Sequence, residues 1–279
     1  INIVSYQDNP TIFDDQEYIS KMRFKHGDVL LRMNFFGLRS YRSNDKIQVP
    51  VIEDHSHGLF SNWALFSDAD WCFSSIRKTL PVADGGVLWS PINNIINMET
   101  KSVTREHKEL TKSRYLAMKI KSKYLSNKDS ILKDKYLKLF TETEECFNNN
   151  PSSLISPETL TLLNKIPINI DDSKRRNFKY LLPKLDQHYY TVLTPEPDQT
   201  VFSLVLMLEN KSIRNDFKLH LIKNNIYPSV LWELDKSTSS EESISVSNRV
   251  LSIHIDFRYN FHDLDAMCHI LNSYNTQHE

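Results

Sequence analysis

A lysine and an aspartate, each placed after a short apolar run, are the residues of this sequence best suited to chemistry. Lys78 follows the run 70–73 and the segment Ser74-Ser75-Ile76-Arg77, and Asp54 follows the run 49–52. A lysine amine attacks a carbonyl only in its neutral form, and burial beside the cation of Arg77 disfavours the charged form. The placement therefore predicts that Lys78 forms a Schiff base with an aldehyde.

The polar residues near Lys78 indicate which kind of aldehyde it would hold. A carboxylate such as that of Asp54 can keep a pyridine nitrogen protonated, and a protonated ring withdraws electrons from a substrate carbanion. The hydroxyls of Ser74 and Ser75, just before the lysine, are candidates to bind a phosphate ester with backbone N–H groups. Ser75 is favoured because it is closer to Lys78 along the same short segment.

The two histidines after Asp54 have a less specific signal. Of His55 and His57, which are separated by one residue at a strand end, only one is predicted to face a cavity, and the other is expected to be a core or surface histidine. Together with Asp54 they lack a fourth ligand at suitable spacing, and adjacent strand residues rarely give tetrahedral geometry. No metal site is predicted.

The elements that must position these residues follow from apolar spacing and turn signals. The first hundred residues are predicted to hold a helix at 14–24 and short buried strands at 29–33, 49–52, 70–73 and 86–89. Polar residues at the carboxyl ends of such strands are where open α/β sheets bind ligands. Asp54 and Lys78 are therefore predicted to serve one cavity.

The rest of the chain changes character twice. Two long helices are predicted between 103 and 147, with a break near 126–129. Beyond them the pattern predicts a helix at 172–185, an extended segment at 200–208, a helix at 213–224, an extended segment at 249–255 and an exposed connection at 237–247. The domains are predicted as the later part of a large α/β domain at 1–100, connecting helices at 101–150 and a small α+β domain at 151–279.

Composition limits the classes of partner. The 34 basic and 35 acidic residues nearly cancel, which argues against nucleic acid, and no apolar run approaches the length of a membrane helix. The three cysteines, Cys72, Cys146 and Cys268, are far apart, which argues against a disulfide framework and favours a reducing cytoplasm. The first residue is Ile1, and we expect the chain to be the later portion of a longer polypeptide.

Four motifs in the same order resemble one known family. They are Asn34-Phe35-Phe36-Gly37, Ile52-Glu53-Asp54-His55-Ser56-His57, Ser75-Ile76-Arg77-Lys78 and Asp84-Gly85-Gly86, with weaker likenesses at Arg175-Arg176-Asn177-Phe178 and Asn225-Ile226-Tyr227-Pro228. The pattern resembles the fold-type-I pyridoxal-phosphate enzymes, and within them the DegT/DnrJ/EryC1/StrS aminotransferase-like group. The resemblance implies a fold-type-I α/β structure: a partial large domain with a mainly parallel sheet, and a small C-terminal α+β domain.

The resemblance also implies roles for individual residues. Lys78 becomes the lysine of the internal aldimine with pyridoxal 5'-phosphate and the proton shuttle between substrate and cofactor carbons. Asp54 becomes the partner of the pyridine nitrogen, His57 a hydrogen-bonding group near the phenolic oxygen, and Asn34 a residue beside the ring. Phe73 occupies the position where the family usually has its phosphate-binding serine, so Ser74 or Ser75 is expected to replace it.

The implied reaction is amino-group transfer between a small amino donor and a keto acceptor, in a cytoplasmic homodimer. Arg258 is a candidate for binding a substrate carboxylate, although a salt bridge to Asp256 or Asp263 is the simpler interpretation. The family's glycine-rich phosphate cup has no match before Asp54. Two alternatives therefore stay open: a non-catalytic or truncated member acting as a binding or assembly module, and a pyridoxal-phosphate enzyme that catalyses elimination or decarboxylation.

Overall fold

The computed structural model describes residues 1–95, 102–127, 129–149, 153–167, 169–197, 199–234 and 239–275. The chain forms two compact units. The first comprises Ile1–Cys72, Ser90–Ile92 and Pro167–Glu279, and the second comprises Phe73–Trp89 and Asn93–Ile166. The domain boundaries expected from the sequence stay a prediction.

The first unit begins with a short helix and parallel strands. Its elements up to the unit boundary are α1 (Gln16–Ile19), β1 (Leu30–Met33), β2 (Val51–Asp54), α2 (Asn62–Phe66) and the start of β3 (Trp71–Ser75). β1 and β2 pair in parallel, with Met33 beside Asp54. The four-stranded sheet to which they belong has the order β1-β2-β3-β4, with β4 at Gly86–Trp89.

The later part of the first unit is an antiparallel sheet with helices packed on it. Its elements are α6 (Asp172–Leu181), β5 (Tyr190–Val192), β6 (Leu204–Leu208), α7 (Lys211–Lys223), α8 (Glu241–Arg249), β7 (Val250–Ile253) and α9 (Phe261–Asn272). The sheet order is β5-β6-β7, and every residue of β6 is buried. Leu206 and Leu251 share a core with Phe217 of α7 and Leu264 of α9, so this sheet is the centre of the unit's largest apolar cluster.

The second unit combines the end of β3 and β4 with three helices. These are α3 (Arg105–Asn127), α4 (Ser130–Asn149) and α5 (Pro157–Leu163). α3 and α4 pack on each other, with Ala117 and Ile120 buried on α3 and Tyr136 buried on α4. Among the described residues, no helix has both the length and the apolar character needed to cross a bilayer.

The four predicted strands of the first hundred residues and the two long helices are confirmed within a few residues. The helix predicted at 14–24 is only one turn, α1, because Ile19 is the single buried residue of that turn. The first two residues of the exposed connection predicted at 237–247 lie outside the described residues. For the rest the prediction is wrong, because α8 begins at Glu241. The Ser240 hydroxyl caps α8, and Val246 of α8 is buried. The composition of the segment, rich in serine and glutamate, does not reveal either feature.

Candidate functional site

Asp54 lies at the carboxyl end of β2 and is half-buried. Its backbone carbonyl accepts a hydrogen bond from the Asn34 N–H at 2.9 Å, which continues the ladder between β1 and β2. Its carboxylate Oδ1 accepts from the Ser56 N–H at 2.8 Å, the geometry of an Asx turn. Within the described part of the chain, Oδ2 receives no hydrogen bond, so one carboxylate oxygen is available to a ligand.

The residues on either side of Asp54 point away from it, as strand alternation requires. Glu53 and His55 are both fully buried, and the His55 Nε2 lies 3.1 Å from the Glu53 Oε2. Burial by itself raises the pKa of Glu53. The hydrogen bond from His55, followed by those from Ser67 and Asn44, outweighs it and holds that pKa below its ordinary value. Of the two histidines, His55 is therefore the core histidine.

Asn34 is buried at the end of β1, where the sequence placed a residue beside the cofactor ring. Its amide Nδ2 lies 3.1 Å from the His55 Nδ1 and donates to the Ser61 Oγ at 3.0 Å. A side chain at Gly58 would collide with this amide, since an added Cβ would lie 2.2 Å from Nδ2. The structure thus gives Asn34 a role inside the protein, and its contact with a cofactor stays a prediction.

His57 lies between two aromatic rings. It stacks on Phe36 at 5.3 Å and on Phe202 at 4.4 Å between ring centroids. Gly37, with φ of +70°, permits this packing because a Cβ there would meet the carbonyl oxygens of His57 and Thr200 at 3.0 and 3.1 Å. The ring plane of His57 is therefore fixed by packing.

Lys174 is a buried charge that the sequence analysis did not identify. Its ammonium lies 5.3 Å from the Phe202 ring centroid and 3.9 Å from the Asp171 carboxylate. Burial lowers the pKa of Lys174, against the opposing effect of Asp171. The signal was present in the sequence: on α6, Lys174 shares the spacing of the buried Asn177, Phe178 and Leu181.

Lys78 ends a 3-10 turn, Ile76–Lys78, that follows β3 directly in the second unit. Its side chain is exposed, whereas Ile76 in the same turn is buried. Arg77 donates to both carboxylate oxygens of Glu144 at 3.0 and 3.2 Å and lies over the Phe147 ring. The positive charge of Arg77 is thus compensated by Glu144. The expectation that Lys78 is buried beside this cation is wrong, because the lysine side chain is exposed.

The serines before Lys78 differ in burial. Ser74 is buried in β3, and Ser75 is half-buried at its end. Because β-strand side chains alternate, the two hydroxyls point to opposite faces of the sheet. Only one of them can therefore serve a ligand on a given face, and the choice between them stays a prediction.

Asp84 anchors the segment that follows Lys78. Its buried carboxylate accepts hydrogen bonds from the His107 Nε2 at 2.8 Å, from the Ser156 N–H at 2.7 Å, from the Ser156 hydroxyl at 2.8 Å and from the Thr159 hydroxyl. Burial raises the pKa of Asp84, but these hydrogen bonds outweigh it and hold the pKa below its ordinary value. The Asp-Gly-Gly motif is thus tied to α3 and α5.

Arg258 pairs with Asp256 on the same loop. Its Nε and an Nη donate to the Asp256 carboxylate at 2.8 and 2.7 Å. This is the simpler of the two interpretations of Arg258, and binding of a substrate carboxylate stays a prediction.

A metal site is not supported by the one cluster of suitable atoms among the described residues. Glu53, His55 and Cys72 bring their ligand atoms within 4.8 Å of one another. The Glu53 carboxylate, however, already faces the Arg32 guanidinium at 3.5 Å. Burial also raises the pKa of the Cys72 thiol to about 12, which disfavours the thiolate that binds metals.

The candidate residues are divided between the units. Asn34, Asp54, His57 and Arg258 belong to the first unit, and Ser74, Ser75 and Lys78 belong to the second. The roles of these residues toward a ligand stay predictions.

Comparison with known proteins gives similarity in structure alone. No protein-family model and no curated protein matches the sequence. Solved structures do match: a DegT DnrJ EryC1 StrS aminotransferase from Brucella abortus has a TM-score of 0.50 at 12% identity over 88% of this chain. NtdA from Bacillus subtilis with bound cofactor PMP has a TM-score of 0.57 at 11% identity over 96% of this chain.

A third structure, the PMP-form of the putative sugar aminotransferase Spr1654 from Streptococcus pneumoniae, has a TM-score of 0.53 at 12% identity over 88% of this chain and 69% of its own. The chain spans 64% of the Brucella protein and 61% of NtdA. It therefore covers somewhat less than two thirds of these two proteins. The chain has the α/β fold of the fold-type-I aminotransferases of the DegT/DnrJ/EryC1/StrS type.

Proposed function

We propose that this chain acts in pyridoxal-phosphate-dependent amino-group transfer, with Lys78 as the amine that holds the cofactor's aldehyde. The observation that carries the proposal is the placement of the two key side chains in this fold. Asp54 ends β2 with one carboxylate oxygen available, and Lys78 follows β3 with an exposed amine. The cofactor-bound structures among the similar proteins support the same cofactor.

The residues present fit pyridoxal phosphate in their chemistry. The cofactor supplies an aldehyde that condenses with an amine with loss of water, and a protonated pyridine ring that withdraws electrons. Asp54 offers a carboxylate to the pyridine nitrogen, and His57 offers an imidazole held in a fixed plane. Lys78 offers the amine, and Ser74 or Ser75 offers a hydroxyl to the phosphate.

Each residue has a separate task in this proposal. The Asp54 carboxylate holds a proton on the pyridine nitrogen, because an anion stabilises the cationic ring. The Lys78 amine would also move a proton at the substrate carbon, as a general base and acid. Its exposed side chain has the freedom that two successive tasks require.

The proposed substrates are a small amino donor and a keto acceptor, and the proposed assembly is a cytoplasmic homodimer. The similar proteins include a putative sugar aminotransferase, which supports a small hydroxylated acceptor. Sedimentation of the purified chain at several concentrations tests the assembly. A dimeric mass supports it, and a monomeric mass at all concentrations contradicts it.

Absorption spectroscopy tests the proposed function. Titration of the purified 279-residue chain with pyridoxal phosphate is expected to give an absorption band at about 400–430 nm. The band should be lost in Lys78→Ala and kept in Lys135→Ala, a matched exposed lysine on α4. A band that persists in Lys78→Ala contradicts the role of Lys78, and the absence of any band in the wild-type chain favours a non-catalytic binding module.

A further inference from the structure

Three consecutive residues at the end of β2, Glu53 to His55, have side chains that alternate between the two faces of the sheet. Asp54 points to one face, while Glu53 and His55 point to the other and are joined by the 3.1 Å hydrogen bond between the Glu53 Oε2 and the His55 Nε2. The hydrogen-bonded pair therefore flanks Asp54 in sequence and lies on the opposite face of the strand end. A change in the backbone at Asp54 that separates Glu53 from His55 breaks a hydrogen bond between two buried groups.

The directions of the hydrogen bonds at this strand end are fixed by Ser61. The Ser61 hydroxyl donates its single hydrogen to the Gly58 carbonyl at 2.7 Å, so it accepts from the Ala64 N–H at 3.2 Å and from the Asn34 amide at 3.0 Å. The Asn34 nitrogen is therefore a donor. The same nitrogen lies 3.1 Å from the His55 Nδ1, which must accept.

The state of the His55 imidazole follows from this. With Nδ1 accepting, the ring hydrogen is on Nε2, where it donates to the Glu53 carboxylate. Arg32 compensates the charge of Glu53 from the far side at 3.5 Å and is itself paired with Asp15 at 2.7 Å. The donors along this line meet acceptors, whereas the buried Asn34 Oδ1 has no hydrogen-bond partner among the described residues.

The buried polar chain formed by Asn34, His55 and Glu53 joins the ends of β1 and β2. Asn34 is the residue after β1, and its backbone N–H also donates to the Asp54 carbonyl. Gly58 and Ser61 belong to the loop that carries His57, and the same hydrogen bonds hold that loop. The orientation of Asp54 is thus held from its own strand, from the neighbouring strand and from the loop that follows.

We infer that His55 is a positioning residue that holds the Asp54 carboxylate in the direction of the cofactor's pyridine nitrogen. The inference rests on the proposed function. His55 does not touch the cofactor; it acts through the strand end that it fixes. Its loss weakens the contact between Asp54 and the pyridine nitrogen more than it weakens the binding of the rest of the cofactor.

A pair of ligands isolates that contact. Pyridoxal phosphate and its 1-deaza analogue, which has a C–H in place of the pyridine nitrogen, differ at this one position. The ratio of their dissociation constants therefore measures the contact with Asp54. A charge-assisted hydrogen bond predicts a ratio of roughly 10 to 100 for the wild-type chain and a ratio near one for Asp54→Ala.

The variant His55→Phe keeps a buried ring and removes both hydrogen bonds. It is expected to lower the ratio to within about threefold of one. His107→Phe is the matched control, because His107 is also buried and hydrogen-bonded to an aspartate, Asp84, in the other unit. In His107→Phe, any change in the dissociation constant is expected to be the same for both ligands, so that their ratio stays at the wild-type value.

The outcomes separate the inference from the proposed function. A wild-type ratio above about ten that persists in His55→Phe overturns the inference alone. A wild-type ratio near one overturns the role of Asp54 and the inference with it. Because His55→Phe can fail to fold, ¹⁵N NMR of the wild-type imidazole is the second measurement: a hydrogen on Nε2 supports the inference, and a hydrogen on Nδ1 contradicts it.

Discussion

The ends of β2 and β3 carry the two proposed key residues, and they are held in different ways. Around Asp54, buried charges and amides fix the strand end, with Arg32, Glu53 and His55 all nearly inaccessible to solvent. Around Lys78, the fixed groups are its neighbours, Ile76 and Asp84, while the lysine itself is exposed. A carboxylate that orients a ring must be held in one orientation, whereas an amine that bonds and releases the cofactor must be able to move its side chain.

Removal of Arg32 is expected to have the largest effect on stability. Arg32→Met removes the arginine that pairs with both the Asp15 and Glu53 carboxylates and leaves Asp15 only the longer 3.8 Å ion pair with Arg39. The free energy of unfolding should therefore fall by about 3–5 kcal/mol in denaturant titrations. Arg42→Met is the matched control, since Arg42 is partly exposed and pairs with Glu196 at 3.0 Å. Equally small losses of unfolding free energy in both variants would show that the buried charges around Asp54 do not stabilise the end of β2.

Asp84 tests the anchoring of the second region. Asp84→Asn is expected to cost about 2–3 kcal/mol, because a charged acceptor of several buried hydrogen bonds is lost. The pKa of Asp84 is lowered from 3.8, so its contribution to stability is present above that value and is lost as the pH falls through the lower folded-state pKa.

The acid limb gives the decisive readout for Asp84. The wild-type free energy of unfolding should fall below about pH 4 more steeply than that of Asp84→Asn. Asp134→Asn, at an exposed position of α4, should leave the slope unchanged. Parallel slopes for wild type and Asp84→Asn would contradict the assignment of this carboxylate as a charged anchor.

The pair of Arg77 and Glu144 is expected to contribute less. Its side chains are 24% and 48% exposed, so solvent screens the attraction, and Arg77→Gln should cost about 1 kcal/mol or less. Thermal unfolding of the variant measures this cost. A loss as large as that expected for Asp84→Asn would mean that the segment before Lys78 is held chiefly by Arg77.

Lys78 is expected to have the smallest effect on stability. Lys78→Ala removes an exposed side chain, and the free energy of unfolding should change by no more than about 0.5 kcal/mol. The same variant should lose the cofactor band completely. A large loss of stability would show that Lys78 is a structural residue, as Arg32 is for the end of β2, and not a free exposed amine.

The sequence predicted the strand ends because apolar runs followed by polar residues are a local signal. β1 to β4 lie where these runs indicated, and Asp54 and Lys78 follow their strands as expected. α8 was missed because its serine-rich composition resembles that of a loop, and its clearest signal is the Ser240 cap. α9 was missed although Asn260 caps it and its buried Leu264, Met267 and Leu271 have helical spacing.

The partners of the charged groups could not be predicted because they are distant in sequence. Arg77 was expected to act on Lys78, but its partner Glu144 lies 67 positions later on α4. The contact between Asn34 and His55 likewise depends on the register of β1 and β2. Local sequence therefore indicates which residues have side chains suited to chemistry. The tertiary structure determines which of these side chains are already hydrogen-bonded inside the protein.

The central claim is that Lys78 is the cofactor's lysine, and chemical trapping tests it most directly. The wild-type chain is treated with pyridoxal phosphate, reduced with borohydride to make the lysine–cofactor bond permanent, digested, and mapped by mass spectrometry. One phosphopyridoxyl group is expected, located on Lys78. A group on the buried Lys174, or labels spread over exposed lysines with Lys78 unmodified, would contradict it.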